Sequence, residues 1–235
     1  MPGISFRYDV SATSTKENDD RQNLTLQALS SAIYNHHHCK QEILLKDHPY
    51  LLACTKYAEY PVQTFELRGT DFWVCIEGKI YGKELSVIKN ELVELLSHIF
   101  SRSNNSTLAK ERDKLLDWLL KTDGEFVVCA LNKKTRDFII LNDVLGRLPL
   151  YYYYSDDLGL LISRELQFIA NHIENKATDD KFDKMAIAQY LLFGYPLHNR
   201  TLARNVYRVQ PASLIRMHNN NNNKNTIGKV ELRRQ

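Results

Sequence analysis

An α+β fold, with helices kept apart from antiparallel strands, follows from three patterns in this 235-residue sequence. Period-two runs start at Gly3 and recur as far as Met217, period-3.6 segments lie between them in blocks, and the strand runs of 125–162 are joined by short polar turns. Turns such as Asn132-Lys133-Lys134-Thr135 and Ser155-Asp156-Asp157 join antiparallel neighbours, because parallel strands need crossovers of a dozen residues. The expected architecture is a layered sandwich with helices outside. No internal repeat is visible.

The first run, Gly3 to Val10, sets Ile4, Phe6 and Tyr8 against Ser5, Arg7 and Asp9, the alternation of a half-buried strand. A polar loop follows, then a short helical stretch with Leu26, Leu29 and Ile33 at helical spacing. Strands are expected at Tyr50–Thr55, Val62–Leu67 and Asp71–Ile76. The period then changes. Leu85, Ile88, Leu92, Leu95 and Ile99 form one helical stripe and Leu108, Leu115 and Leu119 another, separated by a Ser/Asn-rich loop at 101–106. Four strands are expected at 125–131, 137–142, 149–154 and 158–162, as a meander. A third helix, Asp180 to Phe193, has acids in its first turn and Gly194 beyond its end. Ser213–Met217 is the last expected strand, and the Asn run 219–223 cannot build a core.

With 43 % hydrophobic and 25 % charged residues the chain has an ordinary globular composition. Its 31 Lys+Arg against 28 Asp+Glu leave +3, too balanced for a phosphate-tracking surface, and Arg200, Arg204, Arg208 and Arg216 are dispersed, so nucleic acid is not an expected partner. No apolar run approaches the ~20 residues of a membrane helix, so no membrane contact is expected. MPGISFRYDV lacks the parts of a signal peptide, so a cytoplasmic protein is expected. Cys39, Cys54, Cys75 and Cys129 are widely spaced and read as small buried hydrophobes. His36-His37-His38-Cys39 reads as a solvated segment, since adjacent residues rarely converge on one ion; no metal site is expected.

Six strings in order resemble the N-terminal glutaminase domain of asparagine synthetases, the class II glutamine amidotransferases of the N-terminal-nucleophile hydrolase superfamily. They are MPGI at 1–4, Glu77-Gly78-Lys79-Ile80-Tyr81-Gly82, Asp123-Gly124-Glu125-Phe126, Asn142-Asp143-Val144-Leu145-Gly146-Arg147-Leu148-Pro149-Leu150-Tyr151-Tyr152, Ser163-Arg164-Glu165-Leu166, and Tyr190-Leu191 through Pro211. The resemblance implies a four-layer αββα sandwich of two antiparallel sheets. It also implies one domain, 1–217, followed by an Asn-rich tail, 218–235, leading toward an ATP-dependent synthetase domain absent from this chain. The Ser-Gly-Gly-x-Asp-Ser pyrophosphate loop of that domain does not occur in the sequence. ATP and magnesium are therefore expected only downstream, and no cofactor here. The sequence is expected to be the leading piece of a longer protein.

In that family the residue after Met1 is a cysteine whose thiolate attacks the glutamine amide; here it is Pro2, with no nucleophilic side chain. The resemblance implies that Glu77, Gly78 and Lys79 lie in the family's oxyanion and substrate loop; where the family has an oxyanion-donating Asn, this chain has the acceptor Glu77, followed by Gly78, whose peptide N–H could still donate. Where the family has a Glu that grips the substrate ammonium, this chain has Lys79, and between Cys39 and Arg68 there is no family-like arginine for the substrate carboxylate. Asp143, Gly146, Pro149 and Glu165 read as structural or domain-contact positions, and Tyr151–Tyr154 as rings packed between layers.

The expected function is a degenerate glutaminase-like domain of an asparagine-synthetase-like amide ligase, acting through structure or through contact with a ligand or the synthetase domain. Two alternatives stand beside it: an active amidotransferase or hydrolase using Pro2 unconventionally, and a free-standing partner-binding module. A homodimer is left open.

Overall fold

A computed structural model describes residues 2–9, 23, 25–27, 39–100, 108–156, 158–174, 181–218 and 226–231. The described residues form twelve strands in two six-stranded, wholly antiparallel sheets, together with helices α1 (Leu85–Phe100), α2 (Leu108–Lys121), α3 (Leu166–Glu174) and α4 (Lys184–Phe193). The α+β class read from the segregated periods is the class observed. The described chain divides into two compact units, Met1–Tyr60 with Pro149–Val209, and Pro61–Leu148 with Gln210–Gln235.

In the first unit the sheet runs β10 (Tyr207–Arg208), β8 (Tyr151–Ser155), β9 (Gly159–Ser163), β1 (Gly3–Tyr8), β3 (Tyr50–Lys56), β2 (Lys40–Asp47). β1 is central, paired with β3 from Gly3↔Thr55 to Tyr8↔Tyr50 and with β9 from Ser5↔Ser163 to Tyr8↔Leu160. Its alternation promises one wet face, yet every residue of β1 is buried. Ser5, Arg7 and Asp9 are only 4, 2 and 3 % exposed. The reason is α3: Phe168 and Ile169 pack with Ala53, Leu161 and Val206 on that side of the sheet, so the polar residues of β1 lie under a helix.

In the second unit the order is β12 (Thr226–Glu231), β11 (Ser213–His218), β7 (Asp137–Asn142), β6 (Gly124–Asn132), β5 (Phe72–Ile80), β4 (Val62–Glu66). The α1 stripe Ile88, Leu92, Leu95, Leu96 and Ile99 packs with Leu115 and Leu119 of α2 onto Val74, Ile76, Val128, Ala130, Ile139 and Leu141. Trp118 meets Phe126 edge-on at 5.7 Å and donates its indole N–H to Glu91 at 2.9 Å.

Several elements differ from expectation. β2 is a strand beyond those expected: its apolar residues Ile43, Leu44 and Leu45 do not alternate, and a register shift between Ile43 and Leu45 removes the period on this edge strand. α3 spans nine residues, too few turns for a helical stripe to stand out. β12 lies in the stretch expected as tail and pairs with β11 from Ser213↔Glu231 to His218↔Thr226. The Tyr run is not sequestered as a whole: Tyr151 and Tyr153 pack against the α3 cluster while Tyr154 is 47 % exposed. β8 has only the two-residue β10 beyond it, which cannot cover that end. Of the expected helix at Leu26–Ile33 only Leu26 and Gln27 are described, and they are helical. The His36–His38 run and the Asn run 219–223 lie outside the described residues.

Candidate functional site

Glu77, Gly78 and Lys79 are strand residues, which corrects the expected loop. β5 continues through Ile80, with Glu77↔Val127, Gly78↔Phe126 and Lys79↔Glu125 on one side and Val62↔Glu77 on the other. Two glycines make this close pairing sterically feasible. A Cβ on Gly78, whose φ is +94°, would sit 2.0 Å from the Glu125 carbonyl oxygen, and a Cβ on Gly124 would sit 2.4 Å from that of Lys79. Any other residue forces these strands apart.

Strand alternation then sorts the side chains. Glu77 shares a face with Cys75, away from the α1–α2 cluster, and is 0 % exposed; Lys79, two residues on, is exposed. The Cys129 thiol, opposite Cys75, is pushed well above its ordinary pKa by burial first, then by the neighbouring Cys75 and Glu77. The Gly78 peptide N–H donates to the Pro61 carbonyl at 2.7 Å, so it is already engaged. The Tyr81 hydroxyl donates to Glu125 at 3.2 Å.

Asp143 follows β7 at the same end of the sheet as Gly78, beside Phe126, and is 1 % exposed. Its carboxylate accepts the Leu145 N–H at 2.9 Å and the Arg147 N–H at 3.1 Å, its carbonyl accepts the Gly146 and Ala212 N–H groups at 3.1 and 3.0 Å, and its own N–H donates to Phe126 at 3.1 Å. Gly146 takes φ +59°, with Pro211 already 3.2 Å from where its Cβ would be. Arg147 follows, donating to the Gly124 carbonyl at 3.0 Å and pairing with Asp123 at 3.3 Å. Asp143, Gly146 and Arg147 thus tie the end of β7 to β6 and β11.

The remaining candidates lie in the first unit. Pro2 precedes β1, and its carbonyl accepts the Tyr60 hydroxyl at 3.4 Å. Pro149 begins the segment that leads through Leu150, whose carbonyl accepts the Val209 N–H at 2.8 Å, into β8. Glu165 lies at the start of α3, where its N–H donates to Ser163 Oγ at 2.9 Å and its carboxylate accepts the Gln167 N–H at 3.4 Å, a favourable place for a negative charge.

Sequence reasoning missed a buried polar cluster under α3. Arg7 donates Nε to Asp9 at 2.9 Å and Nη1 to Thr25 Oγ1 at 2.8 Å, and its Nη1 lies 3.3 Å from His172 Nε2. Burial, and secondarily the Arg7 charge, lowers the His172 pKa from 6.5 to about 4, so the ring is neutral at physiological pH. The signal was present as Arg7 and Asp9 at alternate positions of a strand, but nothing in the local sequence said that a helix would cover them. Among the described residues no group of three or more His, Cys, Asp or Glu side chains is placed to hold a metal ion. None of the described helices is long and apolar enough to cross a membrane.

The sequence matches the glutamine amidotransferase domain family over residues 51–227, and the chain belongs to that family. No curated protein matches it by sequence. Among solved structures it is similar to glutamine phosphoribosylpyrophosphate amidotransferase from B. subtilis complexed with ADP and GMP, at 9 % identity and TM-score 0.43 over 99 % of this chain and 50 % of that one. A structure described as the allosteric regulatory enzyme of purine biosynthesis gives the same values. A stage II sporulation E family protein from Thermanaerovibrio acidaminovorans is similar at 9 % identity and TM-score 0.22, over 66 % of this chain and 79 % of that one. The chain spans half the length of the first two.

Proposed function

We propose that this glutamine amidotransferase-like domain is a degenerate glutaminase that no longer hydrolyses glutamine, and that it serves an asparagine-synthetase-like amide ligase in the cytoplasm. The observation that carries the reading is Glu77, a fully buried acid at the position where the resemblance calls for an amide donor. Glutaminase chemistry drives negative charge onto the amide oxygen as the nucleophile adds, and catalysis depends on donors aimed at that charge. A carboxylate accepts hydrogen bonds and repels an oxyanion, while a protonated carboxyl has a single donor.

Three further features support the reading. Pro2 offers a secondary amine without a thiol or hydroxyl, so no acyl-enzyme can form through its side chain. The Gly78 N–H, the backbone donor beside Glu77, is engaged by Pro61. Lys79 puts positive charge where the substrate ammonium would need a carboxylate. In this reading ATP and magnesium act in the ligase domain, which is also the partner, and none of Pro2, Glu77, Gly78, Lys79, Asp143, Gly146, Pro149 or Glu165 contacts them.

The test is a glutaminase assay on the purified full chain, with the state of Met1 established by mass spectrometry. Ammonia release at the buffer rate is expected. Turnover above background that is lost in Pro2→Gly would overturn the proposal in favour of an N-terminal catalyst.

A further inference from the structure

α4 is apolar on nearly every side, a composition that normally belongs to a buried helix. Yet Ala186 is its sole buried residue. Tyr190, Leu191, Leu192 and Phe193 are 50, 79, 77 and 55 % exposed. At 3.6 residues per turn these four positions go once round the helix axis, so large apolar side chains leave it in all directions. Phe182 and Tyr195, each 61 % exposed, extend the surface at both ends. Soluble proteins seldom leave so large a contiguous apolar patch uncovered.

The base of the helix has the opposite character. Asp183 caps it, its carboxylate accepting the Met185 and Ala186 N–H groups at 3.0 Å and an Arg200 guanidinium N–H at 2.6 Å. The lead-in pairs with 202–204 through Asp183 N–H to the Leu202 carbonyl and Arg204 N–H to the Lys181 carbonyl, both at 3.0 Å. Exposed Lys181, Lys184 and Arg204 are thereby gathered at the base, although Arg204 read as one of several dispersed arginines in the sequence. The segment 181–208 holds five Lys or Arg and one Asp, a net +4 in a chain whose total is +3.

We propose that α4 is a docking helix whose last turn inserts into an apolar cleft bordered by Asp and Glu on a different folded protein domain. Charge argues against a second copy of this chain, which would set one basic base against another. Geometry argues against a membrane: a plane covers one side of a helix, whereas this turn is apolar all round. Its tip is also a helix C-terminus, whose last carbonyls need donors that hydrocarbon lacks. A cleft surrounds the turn and supplies donors, as in helix-in-groove recognition, and acidic borders answer the basic base. The proposal does not depend on whether glutaminase chemistry survives.

The test places a benzophenone amino acid at position 192 of the full chain, in the cells that make it, with a second chain labelled at exposed Lys134 as control. Adducts are identified by mass spectrometry, and the partner is purified and its affinity measured. The expected result is a heterologous adduct, absent from the control, on a partner surface bordered by Asp and Glu. Leu191→Ser/Leu192→Ser should weaken reconstituted binding by about 50-fold with the circular dichroism unchanged. Lys184→Glu/Arg204→Glu should weaken it by about tenfold, and raising salt from about 50 to about 300 mM should do the same. An adduct to a second copy or to lipid, no adduct beyond the control, or binding that survives the serine pair or ignores salt overturns the proposal.

Discussion

The Gly78 peptide N–H donates to the Pro61 carbonyl at 2.7 Å, within the β4–β5 edge of a six-stranded sheet. The bond extends the ladder that pairs Val62 with Glu77, so the backbone donor beside Glu77, the oxyanion donor of the proposed ancestral site, is held by the adjoining segment. Under the proposed function, restoring a nucleophile alone does not restore the chemistry. Pro2→Cys is expected to stay at background in ammonia release. Pro2→Cys/Glu77→Asn, which returns an amide donor, should exceed Pro2→Cys by roughly 100-fold, the usual weight of one oxyanion donor. Equal rates for the two variants would show that Glu77 does not govern the site.

Gly78 and Gly124 hold β5 and β6 together by having no side chain. Because a Cβ at Gly78 would overlap a backbone oxygen, the strain of Gly78→Ala cannot be relieved by a rotamer change. A loss of about 3 kcal/mol or more is expected in urea unfolding, against about 1 kcal/mol for Gly69→Ala, where nothing lies within 4 Å and only the positive φ resists. Similar losses for the two variants would contradict the packing account.

Asp143 accepts two peptide N–H groups on its carboxylate in a buried turn. Asp143→Ala leaves both donors without that partner and should cost about 2–4 kcal/mol, whereas Asp143→Asn retains one amide oxygen and should cost less. Chemical denaturation of the pair gives the order. If Asn is as damaging as Ala, hydrogen bonding is not what the residue contributes.

His172 predicts a pH dependence with a definite sign. Its folded pKa of about 4 lies below the ordinary 6.5, so between these values the unfolded chain binds the proton more readily. Stability from this residue is fully present above about pH 6.5, falls as pH drops, and stops falling below about pH 4. The span corresponds to about 3 kcal/mol. Carboxylates titrate in the same range, so the quantity to measure is the difference between the parent and His172→Gln in unfolding free energy from pH 7 to pH 4. A difference that does not change with pH would mean that His172 is not held neutral by its burial and the Arg7 charge.

Local pattern revealed what depends on neighbours in sequence. The C-terminal end of α4 was legible because Gly194 does its work within one turn, and the α1 stripe because its spacing belongs to the helix itself. The N-terminal end was placed too early, since α4 begins at Lys184 with Asp183 as its cap and not as a first-turn acid of a helix from Asp180. The edge strand β2 was hidden by its bulge, and α3 by its shortness.

The sequence by itself determined the α+β class and the resemblance to a glutaminase, together with the residue types, Pro2, Glu77 and Lys79, that depart from it. It could not determine their surroundings. Glu77 as a fully buried acid, the Gly78 N–H joined to Pro61, the polar side of β1 under α3, and α4 left uncovered despite its apolar composition were all decided by tertiary structure. Strand alternation divides residues between two faces but does not say which face is covered, because that depends on elements packed there from more than a hundred residues away.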